Sequence, residues 1–110
     1  MIQTVLLNMK EGYVYILSNS KRTVLYTGVT SDLIHRVNNH KMGEGSLFSE
    51  KYRTHYLMYY EAHQSIYQAI KREKQIKKWN REWKLNLIKS VNPNMKDLWK
   101  EILPEGRFYF

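Results

Sequence analysis

The sequence predicts an α+β fold: a small, mostly antiparallel three-stranded sheet flanked by helices, in the order β-β-α-β-α-α. Three observations carry this reading. Tyr13–Leu17 and Val24–Thr27 are β-branched and aromatic runs joined by the turn residues Ser18–Arg22, which is a hairpin signature. Tyr56–Tyr60 is a third run of the same kind. From Gln64 the apolar residues Ile66, Ala69, Ile70 and Ile76 recur at helical spacing.

Taken in order, a hairpin turn centred on Ser20-Lys21 sets Tyr15 opposite Tyr26, and opposite residues share a face. Gly28 is expected to end the second strand. Thr30-Ser31-Asp32 supplies an N-cap and a first-turn acid. The helix that follows runs to about Lys41, with Leu33, Ile34 and Val37 inward, and Met42–Gly45 stops it. A polar loop is expected from there to the third strand. A helix spans Gln64 to Trp79, Asn80 marks the join to a helix over Arg81–Lys89, and Asn92-Pro93 closes it. Met95–Ile102 reads as one last short helix. Tyr13, Tyr56, Tyr59 and Tyr60 are expected to pack, and Trp79 and Trp83 to anchor the core. The whole reads as one domain over residues 11–101, with short tails at 1–10 and 102–110.

The 110 residues and 13.3 kDa are one domain's worth. A hydrophobic content of 43% with 14% aromatics is too high for a disordered chain. No run approaches the roughly 18 apolar residues of a membrane span. The chain has no cysteine, which excludes disulfides, thiolate zinc sites and a thiol nucleophile, and fits a reducing, cytoplasmic setting. Val5–Leu7 is too short an apolar patch for a signal peptide. The net charge is +8, and residues 71–89, with eight basic and two acidic side chains, hold +6 of it. That concentration suits a phosphate backbone, the alternative being a solvated helix face.

Four sets of residues could carry chemistry. On the helix from Gln64, Glu73 falls about 20° from Ile66 at roughly 100° per residue, inside the apolar stripe. An inward carboxylate needs a partner, a metal or a solvated cleft, and Lys77, one turn on, is the ordinary partner. Arg36 borders the inward stripe of the first helix, with His40 one turn later on the same face; the pair either grips a phosphate or sits at a packed boundary. Tyr15 and Tyr26 share a face, as packing pairs do, but also as phenols around a nucleophilic water would. The basic run supplies Arg72, Lys74, Lys77, Lys78, Arg81 and Lys84. The histidines 35, 40, 55 and 63 lack zinc spacing, and there is no GxSxG, P-loop or GxGxxG motif.

Together these residues resemble the GIY-YIG nuclease family. Tyr13-Val14-Tyr15 stands where Gly-Ile-Tyr does, Tyr26-Thr27-Gly28 stands for Tyr-Ile-Gly, Arg36 follows at the family's spacing and Glu73 falls at its metal-binding glutamate. Arg72–Trp79 and Asn92-Pro93 look like the small stand-alone, excinuclease C-like (URI domain) subgroup. The resemblance covers roughly residues 11–100. It implies metal-dependent hydrolysis of phosphodiester bonds in DNA, in repair or recombination, with RNA and a protein partner for targeting left open and no role for a membrane. Tyr15 and Tyr26 would surround the attacking water, one as general base. Arg36 would stabilise charge on the phosphate, and Glu73 would hold a single Mg²⁺ or Mn²⁺ ion. His40 is an accessory candidate, as is Asn92, with Asn86 the other option for the family's asparagine. Val29 stands where several members carry a lysine that assists the base. The alternative is a nucleic-acid-binding module that keeps the fold without efficient catalysis.

Overall fold

The computed structural model describes residues 10–104, so the Val5–Leu7 patch and the aromatic end Arg107–Phe110 lie outside the described residues. Strands β1 (Gly12–Ser18), β2 (Leu25–Thr30) and β3 (Tyr56–His63) form an antiparallel sheet in the order β2-β1-β3. Helices α1 (Leu33–Lys41) and α2 (Leu47–Tyr52) precede β3; α3 (Ile66–Lys77), α4 (Arg81–Val91) and α5 (Trp99–Ile102) follow it. The architecture is the α+β arrangement that the sequence predicts.

The central strand β1 is buried on both faces, which explains its nearly continuous apolar run. Tyr15 and Leu17 point to one face, where Leu33 and Val37 of α1 meet Leu57 and Leu98. Val14 and Ile16 point to the other, against Ala69, Ile76 and Ile88 of α3 and α4. A bulge in β3 sets Ile16 against Tyr59 and Leu17 against Leu57, which leaves Met58 unpaired and puts it beside Tyr59 in the second core.

Several expectations are corrected. Tyr15 pairs with Gly28, and Leu17 with Tyr26, so the register differs by two residues from the expected one. The turn is longer because Asn19 Oδ1 accepts from the amides of Thr23 and Val24, and Arg22 adopts φ 61°. A two-residue shift preserves the pleat, so Tyr15 and Tyr26 still share a face. β2 runs through Gly28 to Thr30 rather than ending there. The expected polar loop contains α2, capped by Ser46. β3 reaches His63, and the last helix is only Trp99–Ile102. Tyr60 and Trp83 are exposed rather than packed. Trp83 lies about 140° around α4 from the buried Ile88.

Side-chain caps fix the helix starts: Asp32 on α1, Ser65 on α3 and Asn80 on α4 each accept from a backbone amide of the first turn. Among the described residues no helix is long and apolar enough to cross a membrane.

Candidate active site

The first core carries a polar cluster at its β2 side. The Tyr15 hydroxyl lies 2.9 Å from His40 Nε2, and Arg36 Nε donates to the Tyr15 hydroxyl at 3.3 Å. β1 supplies the tyrosine, while Arg36 and His40 come from adjacent turns of α1. Tyr15 and His40 are each only 1% exposed. Tyr26 completes the group, its ring 6.2 Å from Tyr15 and 5.2 Å from His40. Gly28 is required here: a Cβ at that position would collide with the Tyr15 hydroxyl. That is a steric reason for glycine inside a strand, where its flexibility is otherwise a cost.

The electrostatics follow from burial. Burial, and after it Tyr26, push the Tyr15 phenol above its ordinary range, with Arg36 opposing them. Burial and the nearby Arg36 and His55 charges lower the His40 pKa to about 4, so its ring is neutral at neutral pH. Tyr15 holds the Arg36 guanidinium all the more firmly in its charged form.

Tyr26 also belongs to the surface. Phe48 of α2 stacks on it, with ring centroids 5.9 Å apart at 28°, and Tyr52 follows 4.6 Å beyond Phe48. Leu25, Tyr26, Thr27 and Phe48 line a depression of about 310 Å³ with Lys77 and Lys84. Aromatic rings and two cations thus face one hollow beside the edge strand β2.

Glu73 approaches from the opposite side of the sheet. It is buried on α3 and ion-paired with Lys77 at 2.9 Å. Lys77 links the glutamate to the depression that Tyr26 lines. Tyr15, Arg36 and His40 are therefore joined by hydrogen bonds and Tyr26 by ring contact, while Glu73 is held by Lys77, which lines the same depression as Tyr26.

The other candidates lie elsewhere. The Asn92 amide donates to the carbonyls of Met58 and Lys96, which ties the end of α4 to the β3 bulge. Asn86 is exposed on α4. Arg72 pairs with Glu61 at 3.1 Å and lies over the Trp79 ring, and Arg81 donates to the carbonyl of Arg22. Lys74 and Lys78 are exposed on and just after α3.

Sequence reasoning missed the contribution of α2. His40 Nδ1 lies 2.8 Å from Ser49 Oγ, and Thr54 Oγ1 donates to that oxygen at 2.7 Å. A helix of six residues is too short to show periodicity. The available signal was Ser46, a capping residue directly before Leu47-Phe48.

Among the described residues there is no group of three or more histidine, cysteine, aspartate or glutamate side chains able to enclose a metal ion. That donor set does not fit zinc or calcium, which need several protein ligands. It fits magnesium or manganese, which can be held by one carboxylate while water and phosphate oxygens fill the remaining positions. Glu73 is such a carboxylate, and in this structure it is paired with the half-exposed Lys77 at 2.9 Å.

Residues 11–86 match the GIY-YIG catalytic domain, and the chain belongs to the GIY-YIG family. It is 38% identical over 81 residues to a UPF0213 protein of Staphylococcus aureus strain Mu3, a match that covers 74% of this chain and 98% of the relative. The UPF0213 protein of strain N315 matches equally. The solution NMR structure of a UPF0213 protein from Bacillus halodurans is similar, with a TM-score of 0.52 and 26% identity, covering 86% of this chain and 99% of that one. The family is that of a nuclease fold.

Proposed function

We propose that this protein is a metal-dependent endonuclease that hydrolyses phosphodiester bonds of DNA in the cytoplasm, in repair or recombination. The observation that carries the reading is the buried Tyr15–His40–Arg36 cluster beside a hollow walled by Tyr26, Phe48 and two lysines. A phenol held by a neutral imidazole and a guanidinium is a costly arrangement for packing alone, because every polar atom in it must stay satisfied.

In this reading Lys77 and Lys84 draw the phosphate backbone into the hollow, with Lys74 and Lys78 extending the basic surface. Arg36 neutralises charge that builds on the scissile phosphate. Tyr15 and Tyr26 orient the attacking water, one of them taking its proton. Glu73 would hold Mg²⁺ or Mn²⁺ once Lys77 releases it, and the ion supplies polarisation of the phosphate and stabilisation of the leaving oxygen. Arg72 and Arg81 serve the fold, holding α3 and the start of α4 in place.

The test is cleavage of labelled single-stranded, nicked, branched and duplex DNA, and of RNA, with Mg²⁺, Mn²⁺ or EDTA, in wild type and Glu73→Ala. Metal-dependent cutting lost in the variant supports the reading. Binding without cutting, equal in both proteins, identifies a nucleic-acid-binding module instead. That outcome is the second reading, favoured by the Lys77 ammonium on the Glu73 carboxylate.

A further inference from the structure

We infer that Ser49 and Thr54 are positioning residues that lock His40 in its Nδ1–H tautomer, and thereby turn the Tyr15 phenol proton inward. The argument is a count of protons. Ser49 Oγ has one hydrogen and two lone pairs. Thr54 Oγ1 donates to it at 2.7 Å, and Ser49 Oγ itself donates to the Thr54 carbonyl at 3.2 Å. With that proton on the Thr54 carbonyl, the remaining contact, 2.8 Å to His40 Nδ1, carries the ring's own proton; a serine proton turned to Nδ1 instead would give the opposite, Nε2–H tautomer.

A neutral imidazole has one N–H, so Nε2 is then the acceptor. Its partner is the Tyr15 hydroxyl at 2.9 Å, which in this tautomer gives its proton to the ring rather than to Tyr26. The chain runs one way: Tyr15 to His40 to Ser49 to the Thr54 carbonyl. Tyr15 is left a hydrogen-bond acceptor on its other side, where Arg36 already donates.

The surroundings hold this arrangement. His40, Ser49 and Thr54 are 1%, 1% and 0% exposed, so water does not compete for the same atoms. Gly45 presses on the ring, since a Cβ there would overlap His40 Nδ1. The neutrality of the ring at neutral pH agrees with its burial. The consequence for hydrolysis rests on the nuclease reading; the tautomer does not. A phenol in this orientation offers a lone pair to the attacking water and passes its own proton to His40 Nε2 as it takes the water's, so it can serve as a general base without first ionising.

The test is a long-range ¹H–¹⁵N correlation spectrum of the histidine rings in the uniformly ¹⁵N-labelled full chain near pH 7, with His40 assigned by the signals lost in His40→Gln. The expected result is a protonated Nδ1 and an unprotonated Nε2. An Nε2–H ring, or a ring protonated at both nitrogens, overturns the inference, and the wild-type spectrum alone decides this. Ser49→Ala is expected to shift the ring toward Nε2–H, and an unchanged tautomer would remove Ser49 from the account. On any DNA that the protein cuts, Ser49→Ala should lower kcat about tenfold or more while KM stays within about twofold. If no DNA is cut, the nuclease reading fails while the tautomer result stands.

Discussion

Removing one oxygen, in Tyr15→Phe, separates the functional cluster from its structural support. The change leaves the ring packed among Leu17, Leu33, Val37 and Leu57 and creates no large cavity. It strands His40 Nε2 in a site where the ring is 1% exposed. A buried polar atom left without a partner costs about 1–3 kcal/mol. Arg36 adds little to this, because its contact is long at 3.3 Å and its guanidinium can turn to water. The expected loss is therefore about 1–3 kcal/mol, which at about 4–8 °C per kcal/mol for a chain near this size lowers Tm by about 4–24 °C. Urea denaturation with a common m-value checks the free energy directly. Cleavage activity should fall at least about 100-fold, as expected for loss of a group that orients or deprotonates the nucleophile. A variant as stable as wild type would refute the reasoning, because it would show that the phenol and imidazole are not hydrogen-bonded in solution.

Other consequences are equally direct. Tyr26→Phe leaves no buried atom stranded on His40, so stability should stay within about 0.5 kcal/mol while cleavage drops. Gly28→Ala drives a methyl into the Tyr15 ring carbon Cζ and its hydroxyl, so both Tm and activity should fall, and Tyr15→Phe in the same chain should not restore stability because Cζ stays in place. The folded pKa of His40 is lowered to about 4 from an ordinary value of about 6.5, so the unfolded chain binds the extra proton between these values. The stability this contributes is present above about pH 6.5 and is lost as pH falls toward 4, by up to about 3 kcal/mol. Glu61, held below its usual range by Tyr59, His63 and Arg72 against the effect of burial, acts in the same direction at lower pH. The urea midpoint should therefore decline on acidification, and less steeply in His40→Gln; an equal slope in both proteins would contradict the assignment. Lys77→Ala releases the Glu73 carboxylate, and should lower the Mn²⁺ concentration needed for half-maximal cleavage while weakening DNA binding modestly.

Most of the frame was legible because it rests on local chemistry. Tyr13–Leu17 and Tyr56–Tyr60 read as strands from their β-branched and aromatic residues, and Asn80 does fall at the join between α3 and α4. The common face of Tyr15 and Tyr26 survived a register error because that error was an even number of residues. What stayed hidden depends on tertiary structure. The inward place of Glu73 follows from helical period, but its entry from the opposite side of the sheet does not. Helix α2 is too short to announce itself, and the bond from Ser49 to His40 joins residues nine apart through a fold around Gly45. The exposure of Trp83 and Tyr60 is likewise decided by where neighbouring elements end. Asn92, an accessory site candidate in the sequence, donates to the carbonyl of the bulged Met58, a contact between residues 34 apart that no local pattern announces.

The central claim is that the cluster around Tyr15 is a hydrolytic site. Its most direct test is single-turnover DNA cleavage with Mg²⁺ by wild type and Arg36→Ala, set beside a binding titration of the same DNA in EDTA. The account predicts binding within a few-fold of wild type and cleavage reduced at least about 100-fold, because the Arg36 charge is used most in the transition state. Cleavage that persists at the wild-type rate, with binding unchanged, would contradict it.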